Sequence, residues 1–140
     1  MLFGFRKQFG EHVLSGRKSG TCRKPRLDNK LAKTDEACHL HESLRTKQHR
    51  FLGVSPCVFT TSITVATEGF SHGEIRGLAM SDFIKEKYDR MVKAGLGEPT
   101  IKELWAWAEG FENWDELLDF FQPTKRKPWK GYWTTWQPLA

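Results

Sequence analysis

The apolar positions of this chain change their spacing at about Gly77. Before it they come in short runs or alternate with polar residues, as in strands. After it they recur at helical spacing. Residues 2–5, Leu-Phe-Gly-Phe, predict a first strand. Residues 8–15 fit a two-turn helix with Phe9, Val13 and His12 inward, and Gly16 stands where a left-handed residue ends a helix. Residues 19–23 predict a strand, with Ser19, Thr21 and Arg23 on one face and Gly20 and Cys22 on the other. Residues 24–34 are basic and polar and predict a loop. Residues 37–41 predict a strand, and residues 44–50 a basic, extended stretch. Residues 58–65 form the clearest strand, rich in β-branched side chains, with Ser55-Pro56 as punctuation before it.

Residues 83–92 predict a helix that ends near Gly95 and Gly97. Thr100 and Glu103 make a capping box that opens a second helix, and Gly110-Phe111 stops it. Asn113 opens a third, which runs through Phe121 and exits at Pro123. Residues 125–130 are a basic hinge before a closing aromatic strand at 131–137. This order predicts an α+β fold: a small, mostly antiparallel β-barrel with helices packed at its openings. The length of 140 residues predicts one domain, 1–140, with a helical insertion at about 71–122.

Charge sharpens this picture more than composition does. The formal net charge is +5, but residues 1–50 carry +7 and residues 51–140 carry −2. A basic first third predicts an anionic partner, most simply a nucleic acid or nucleotide. Cys22, Cys38 and Cys57 are scattered, with no CxxC, and predict a reduced, cytoplasmic protein without a disulfide framework. The N-terminus has no signal-peptide pattern, and no apolar run approaches the ~18 residues of a membrane span. His39 and His41 share a strand face, while Cys38 takes the other, so neither a metal nor a cofactor is expected.

The stretch Gly16-Arg17-Lys18-Ser19-Gly20-Thr21-Cys22-Arg23 concentrates the candidate chemistry. A cation beside a hydroxyl can be an activated nucleophile, an anion site or a solvated turn. On the residues alone, Thr21 reads as an ordinary strand residue and Lys18 as a turn cation. In an ideal strand Lys18 points away from Thr21, and only a bend at Gly16 or Gly20 brings them together.

This stretch, of the form G-x-K-[ST]-x-T-x-R, resembles the hallmark turn of the ASCH family of PUA-like barrels. Glu109-Gly110-Phe111 followed by the short helix from Asn113, and the closing strand from Tyr132, are similar to that family's second hallmark and last strand. The resemblance implies a barrel with a cleft between the first helix and the strands, recognising a nucleoside or a nucleic-acid base. One branch of the family is an amidohydrolase acting on N(4)-acetylcytidine. Its catalytic lysine, threonine and glutamate fall on Lys18, Thr21 and Glu109. The chain departs from that branch in its larger insertion, in Trp129, Trp133 and Trp136, and in Ser19 and Gly20, where the branch carries bulkier residues.

The reading that follows is a hydrolase of N(4)-acylated cytidine. Thr21 is the nucleophile, Lys18 its base and Glu109 the proton donor to the leaving amine. The alternative is a non-catalytic RNA- or DNA-binding module, or a ribonuclease. In either reading Arg17, Ser19, Arg23, Lys24, Arg26, Arg45 and Lys47 are the candidate contacts to substrate or to single-stranded nucleic acid. Trp105 and Trp107, two apart on one helix, cannot both face the core, and one is a candidate stacking platform.

Overall fold

The computed structural model describes residues 1–140. Six strands form one mixed sheet and four helices pack on it. Strand β1 (Leu2–Phe5) leads into helix α1 (Lys7–Leu14), and β2 (Gly20–Arg23) and β3 (Ala37–Glu42) follow. Strand β4 (Arg50–Val65) is the spine, and β5 (Phe70–His72) hairpins back onto it. Then come α2 (Ala79–Lys93), α3 (Ile101–Ala108), α4 (Trp114–Phe121) and the last strand, β6 (Trp129–Trp136).

The strand order is β1-β3-β4-β6-β2. Only the β1–β3 pair is parallel, and every other pair is antiparallel. The 16 residues of β4 serve three partners, with β5 on the far edge of its end. Its first half pairs with β3 and its second with β6. The changeover falls at Pro56-Cys57, where Pro56 has no N–H to give either ladder. Ser55-Pro56 therefore lies inside a strand and marks an exchange of partner rather than a break. Residues 44–49 are turn, and the strand resumes at Arg50.

No ladder joins β1 to β2, so the sheet is an open arc and not the closed barrel that the sequence predicts. Side chains cross the seam instead. The Arg23 guanidinium on β2 donates to the Gly4 carbonyl on β1 at 2.6 Å.

The aromatic end of the chain is core. Trp133 is fully buried, with Phe59, Phe83 and Trp105 edge-on around it at ring separations of 5.1, 5.1 and 5.8 Å. Trp136 lies against Phe3 and Phe5. These rings join a buried cluster that spans strands and helices alike. No helix is long and apolar enough to cross a membrane.

A candidate catalytic cleft beside the first helix

Helix α1 ends at Ser15, and Gly16 adopts the left-handed conformation at φ 82°. The Lys18 N–H then returns to the His12 carbonyl at 2.8 Å. Strand β2 begins only at Gly20. Lys18 thus precedes the strand, and its side chain is free of the strand's alternation. Lys18 and Thr21 come to line one cavity, which the ideal-strand reading forbids without a bend.

That cavity has a volume of about 220 Å³. Lys18, Thr21, Cys22, Arg23 and Glu109 supply its polar wall, and Phe5, Phe9, Phe111, Phe120 and Phe121 its apolar one. Phe9 packs edge to face against both Phe111 and Phe120. Arg6 lies over Phe120, at 5.0 Å from the ring centre.

Lys18 is 4 % exposed, and its Nζ donates to the Glu109 carbonyl at 2.6 Å. No carboxylate pairs with it directly. Burial lowers its pKa below the ordinary lysine value, and the nearby Glu109 carboxylate opposes the shift. Glu109 caps the C-terminus of α3 and is 2 % exposed. Burial raises its pKa, with Lys18 opposing. Its Oε1 faces the Cys22 thiol at 3.6 Å, while Oε2 has only the Trp133 indole N–H near it, outside good hydrogen-bond geometry. Burial thus shifts both groups toward their neutral forms, and their mutual attraction opposes both shifts.

Glu109 reaches this position through two glycines. Gly110 adopts φ 99° and brings its backbone against Phe9, where a Cβ would lie 2.8 Å from the ring. Gly20 leaves room on the opposite side. A Cβ there would lie 2.8 Å from Trp133 Nε1 and 2.9 Å from Glu109 Oε2. The unpartnered carboxylate oxygen thus occupies space that any other residue at 20 would fill.

Thr21 Oγ1 accepts a hydrogen bond from Arg23 Nε at 3.0 Å, leaving its own O–H free to donate. The guanidinium favours negative charge on that oxygen. Lys18 and Thr21 face the same space but are not hydrogen-bonded to each other, since the ammonium is turned to the Glu109 carbonyl.

The other predicted contacts separate by position. Arg17 donates to the Trp107 and Phe111 carbonyls at 2.9 and 2.8 Å and stacks on Trp107. It clamps the turn that carries Glu109. Trp105 is core, and Arg17 covers one face of the half-buried Trp107. Ser19 faces away from the cleft and lines a separate cavity with Asp82, Phe83 and Glu86. Lys24 donates to the Lys130 carbonyl over Trp129. Arg26 pairs with Asp28. Arg45 and Lys47 lie on the surface in the β3–β4 turn. No group of three or more His, Cys, Asp or Glu is placed to hold a metal.

Lys87 is a participant that sequence reading passed over. It is fully buried, and its Nζ donates to the Gly16 carbonyl at 2.8 Å beside Glu86 at 3.1 Å. Burial pushes its pKa down to about 8, against the pull of Glu86. Arg90, one turn on, donates to the Ser15 carbonyl at 3.0 Å. Helix α2 therefore holds the end of α1 from which the Lys18 turn departs. The signal was available: Phe83, Lys87 and Met91 recur every four residues, so a lysine sits in the middle of the buried stripe. Comparisons with protein-family models, with curated proteins and with solved structures find no match.

Proposed function

We propose that this chain is an ASCH-type, PUA-like domain whose open sheet is bridged at the β1–β2 seam by the Arg23 side chain, and that its cleft hydrolyses an N(4)-acylated cytidine. The observation that carries the reading is the convergence of three buried polar side chains, Lys18, Thr21 and Glu109, on one aromatic-walled cavity. Lys18 and Thr21 are hydrogen-bonded within the protein, while Glu109 Oε2 has only the Trp133 indole near it, outside good hydrogen-bond geometry. Such buried titratable groups in a cleft support a functional reading. The phenylalanine walls suit a flat base, and Arg23 stands at the rim.

In this mechanism Thr21 Oγ1 attacks the acyl carbonyl carbon while Lys18 Nζ, neutral, takes the hydroxyl proton. The tetrahedral intermediate collapses as the carboxylic acid of Glu109 protonates the departing N4 amine, releasing cytidine. The proton held by Lys18 then passes to the Glu109 carboxylate, which returns both groups to their starting forms. Water attacks the Thr21 ester as Lys18 takes its proton, and Lys18 gives that proton to Thr21 Oγ1 as the ester C–O bond breaks and the carboxylic acid leaves. Approach of Lys18 to Thr21 requires its amine to leave the Glu109 carbonyl, a rotation that substrate entry would drive.

The second reading is a binding module for single-stranded RNA or DNA. It is favoured by the absence of a Lys18–Thr21 hydrogen bond and by the exposed cations beside the cleft. The deciding experiment is incubation of the purified protein with N(4)-acetylcytidine, with chromatographic detection of cytidine. Release that disappears in Lys18→Ala supports the hydrolase. No release from folded protein at high concentration overturns it and leaves the binding reading.

A further inference from the structure

The cleft does not end at its aromatic wall. Gly4 and Arg23, joined by their hydrogen bond, border a second, larger groove of about 580 Å³ on the far side. Arg23, Lys24, Arg26, Lys30 and Arg45 all line it, and no aspartate or glutamate does. Asp28 lies close by and holds Arg26 at 3.3 Å, so it offsets one of the five cations. Lys24 is turned toward the Lys130 carbonyl. The side chains of Lys30 and Arg45 make no hydrogen bond or ion pair within the protein.

Size separates the roles of the two spaces. The inner cavity, at about 220 Å³, is smaller than the roughly 300–1,000 Å³ usual for a whole small-molecule ligand. It admits a base and an acyl group, and it leaves the rest of the ligand outside. Across the Gly4–Arg23 rim lies a groove whose charged side chains are all cationic. A free nucleoside has nothing anionic to put there.

From this we infer that the ligand carries a phosphate on its sugar, with the base in the inner cavity and the phosphate in the groove between Lys30 and Arg45. The inference rests on the base-binding reading above and deepens it from nucleoside to nucleotide, either free or at an end or turn of a strand.

The test compares three probes by calorimetry on the full chain: cytidine, cytidine 5′-monophosphate and ribose 5-phosphate. At low salt the monophosphate is expected to bind about tenfold or more tighter than cytidine, since two weakly screened cations face a dianion. The advantage narrows as salt rises, and falls toward one in Lys30→Glu combined with Arg45→Asn. Asparagine is chosen because residue 45 has φ 67°, which it tolerates. Equal affinity for cytidine and its monophosphate at low salt overturns the inference and leaves the base reading standing. Equal affinity for the monophosphate and ribose 5-phosphate instead overturns the base reading, because the base then contributes nothing. The salt titration of the unaltered protein needs no variant, so misfolding of the double variant leaves the inference open to refutation.

Discussion

Lys18 Nζ donates to the backbone carbonyl of Glu109 at 2.6 Å, while the carboxylate Oε2 of that same glutamate is buried and unpartnered. In the proposed hydrolysis one residue would thus park the base and supply the acid. Lys18→Arg keeps a cation at this point but cannot shed its proton. It is expected to lower kcat by at least about a hundredfold with the unfolding midpoint little changed. Thr21→Ala is expected to match it, and Thr21→Ser to retain measurable turnover. Steady-state kinetics beside urea denaturation check both. A Lys18→Arg enzyme with wild-type kcat would remove lysine from the mechanism.

Gly20 is expected to tolerate no side chain. Its Cβ would meet Trp133 Nε1 at 2.8 Å and Glu109 Oε2 at 2.9 Å, and the indole, fully buried among three other rings, has no room to move. Gly20→Ala should cost about 1–3 kcal/mol by overpacking. It should also push the carboxylate out of place, so that turnover falls more than stability does. Denaturation and kinetics on the one variant test both halves.

Lys87 gives the protein a pH signature. Its folded pKa, about 8, lies below the ordinary lysine value. Between the two the unfolded chain holds a proton that the folded chain lacks. The Lys87 contribution to stability therefore rises with pH above about 8 and levels off near the unfolded value of ~10.4, while the raised Cys22 and Cys38 thiols pull the other way above the ordinary thiol range. Lys18 shifts in the same direction and adds to the slope. Lys87→Met should flatten the rise without abolishing it. A stability profile from pH 7 to 10 with the same slope in both proteins would refute the assignment.

Arg17 is expected to act on the fold more than on ligand charge. Its guanidinium joins the Trp107 and Phe111 carbonyls, the two residues that flank the Glu109 turn. Arg17→Lys keeps the charge but loses the two-pronged grip and the stacking on Trp107. A loss of roughly 1–3 kcal/mol in stability is expected. The salt dependence of nucleotide binding should stay as in the wild type, which calorimetry at two ionic strengths would show.

Much of this was legible in the chain. Asn113 and Thr100 cap their helices through the hydrogen bonds their sequence positions predict, to Glu116 and Glu103. Helix α1, with Phe9 and Val13 buried, follows its apolar spacing to within a residue. The first half of β4 was not legible. Phe51 and Val54 are exposed and Pro56 interrupts, so local pattern there argues against a strand that pairing with β3 nevertheless imposes. The parallel β1–β3 pair depends on contacts some 37 residues apart, with no local sign at all. In the site, proximity of Lys18 and Thr21 followed from their spacing once Gly16 turned the chain. Lys87 stayed hidden because a lysine on an amphipathic helix ordinarily faces water. The covering of Trp107 by Arg17 was equally unreadable, since 90 residues separate the two.

The turn at Gly16 is built early in the chain and completed late. Its carbonyls wait for Lys87 and Arg90, Lys18 waits for Glu109, and Gly20 waits for Thr135 across the ladder to β6. None of these partners is near in sequence, so none can form while the first third folds alone. Loop closure over such spans makes folding slow, and it leaves the strand edges at β2 and β4 uncovered in the interval. The candidate cleft therefore arrives with the final strand, and a chain arrested before β6 would carry Lys18, Thr21 and Glu109 with no cleft to hold them.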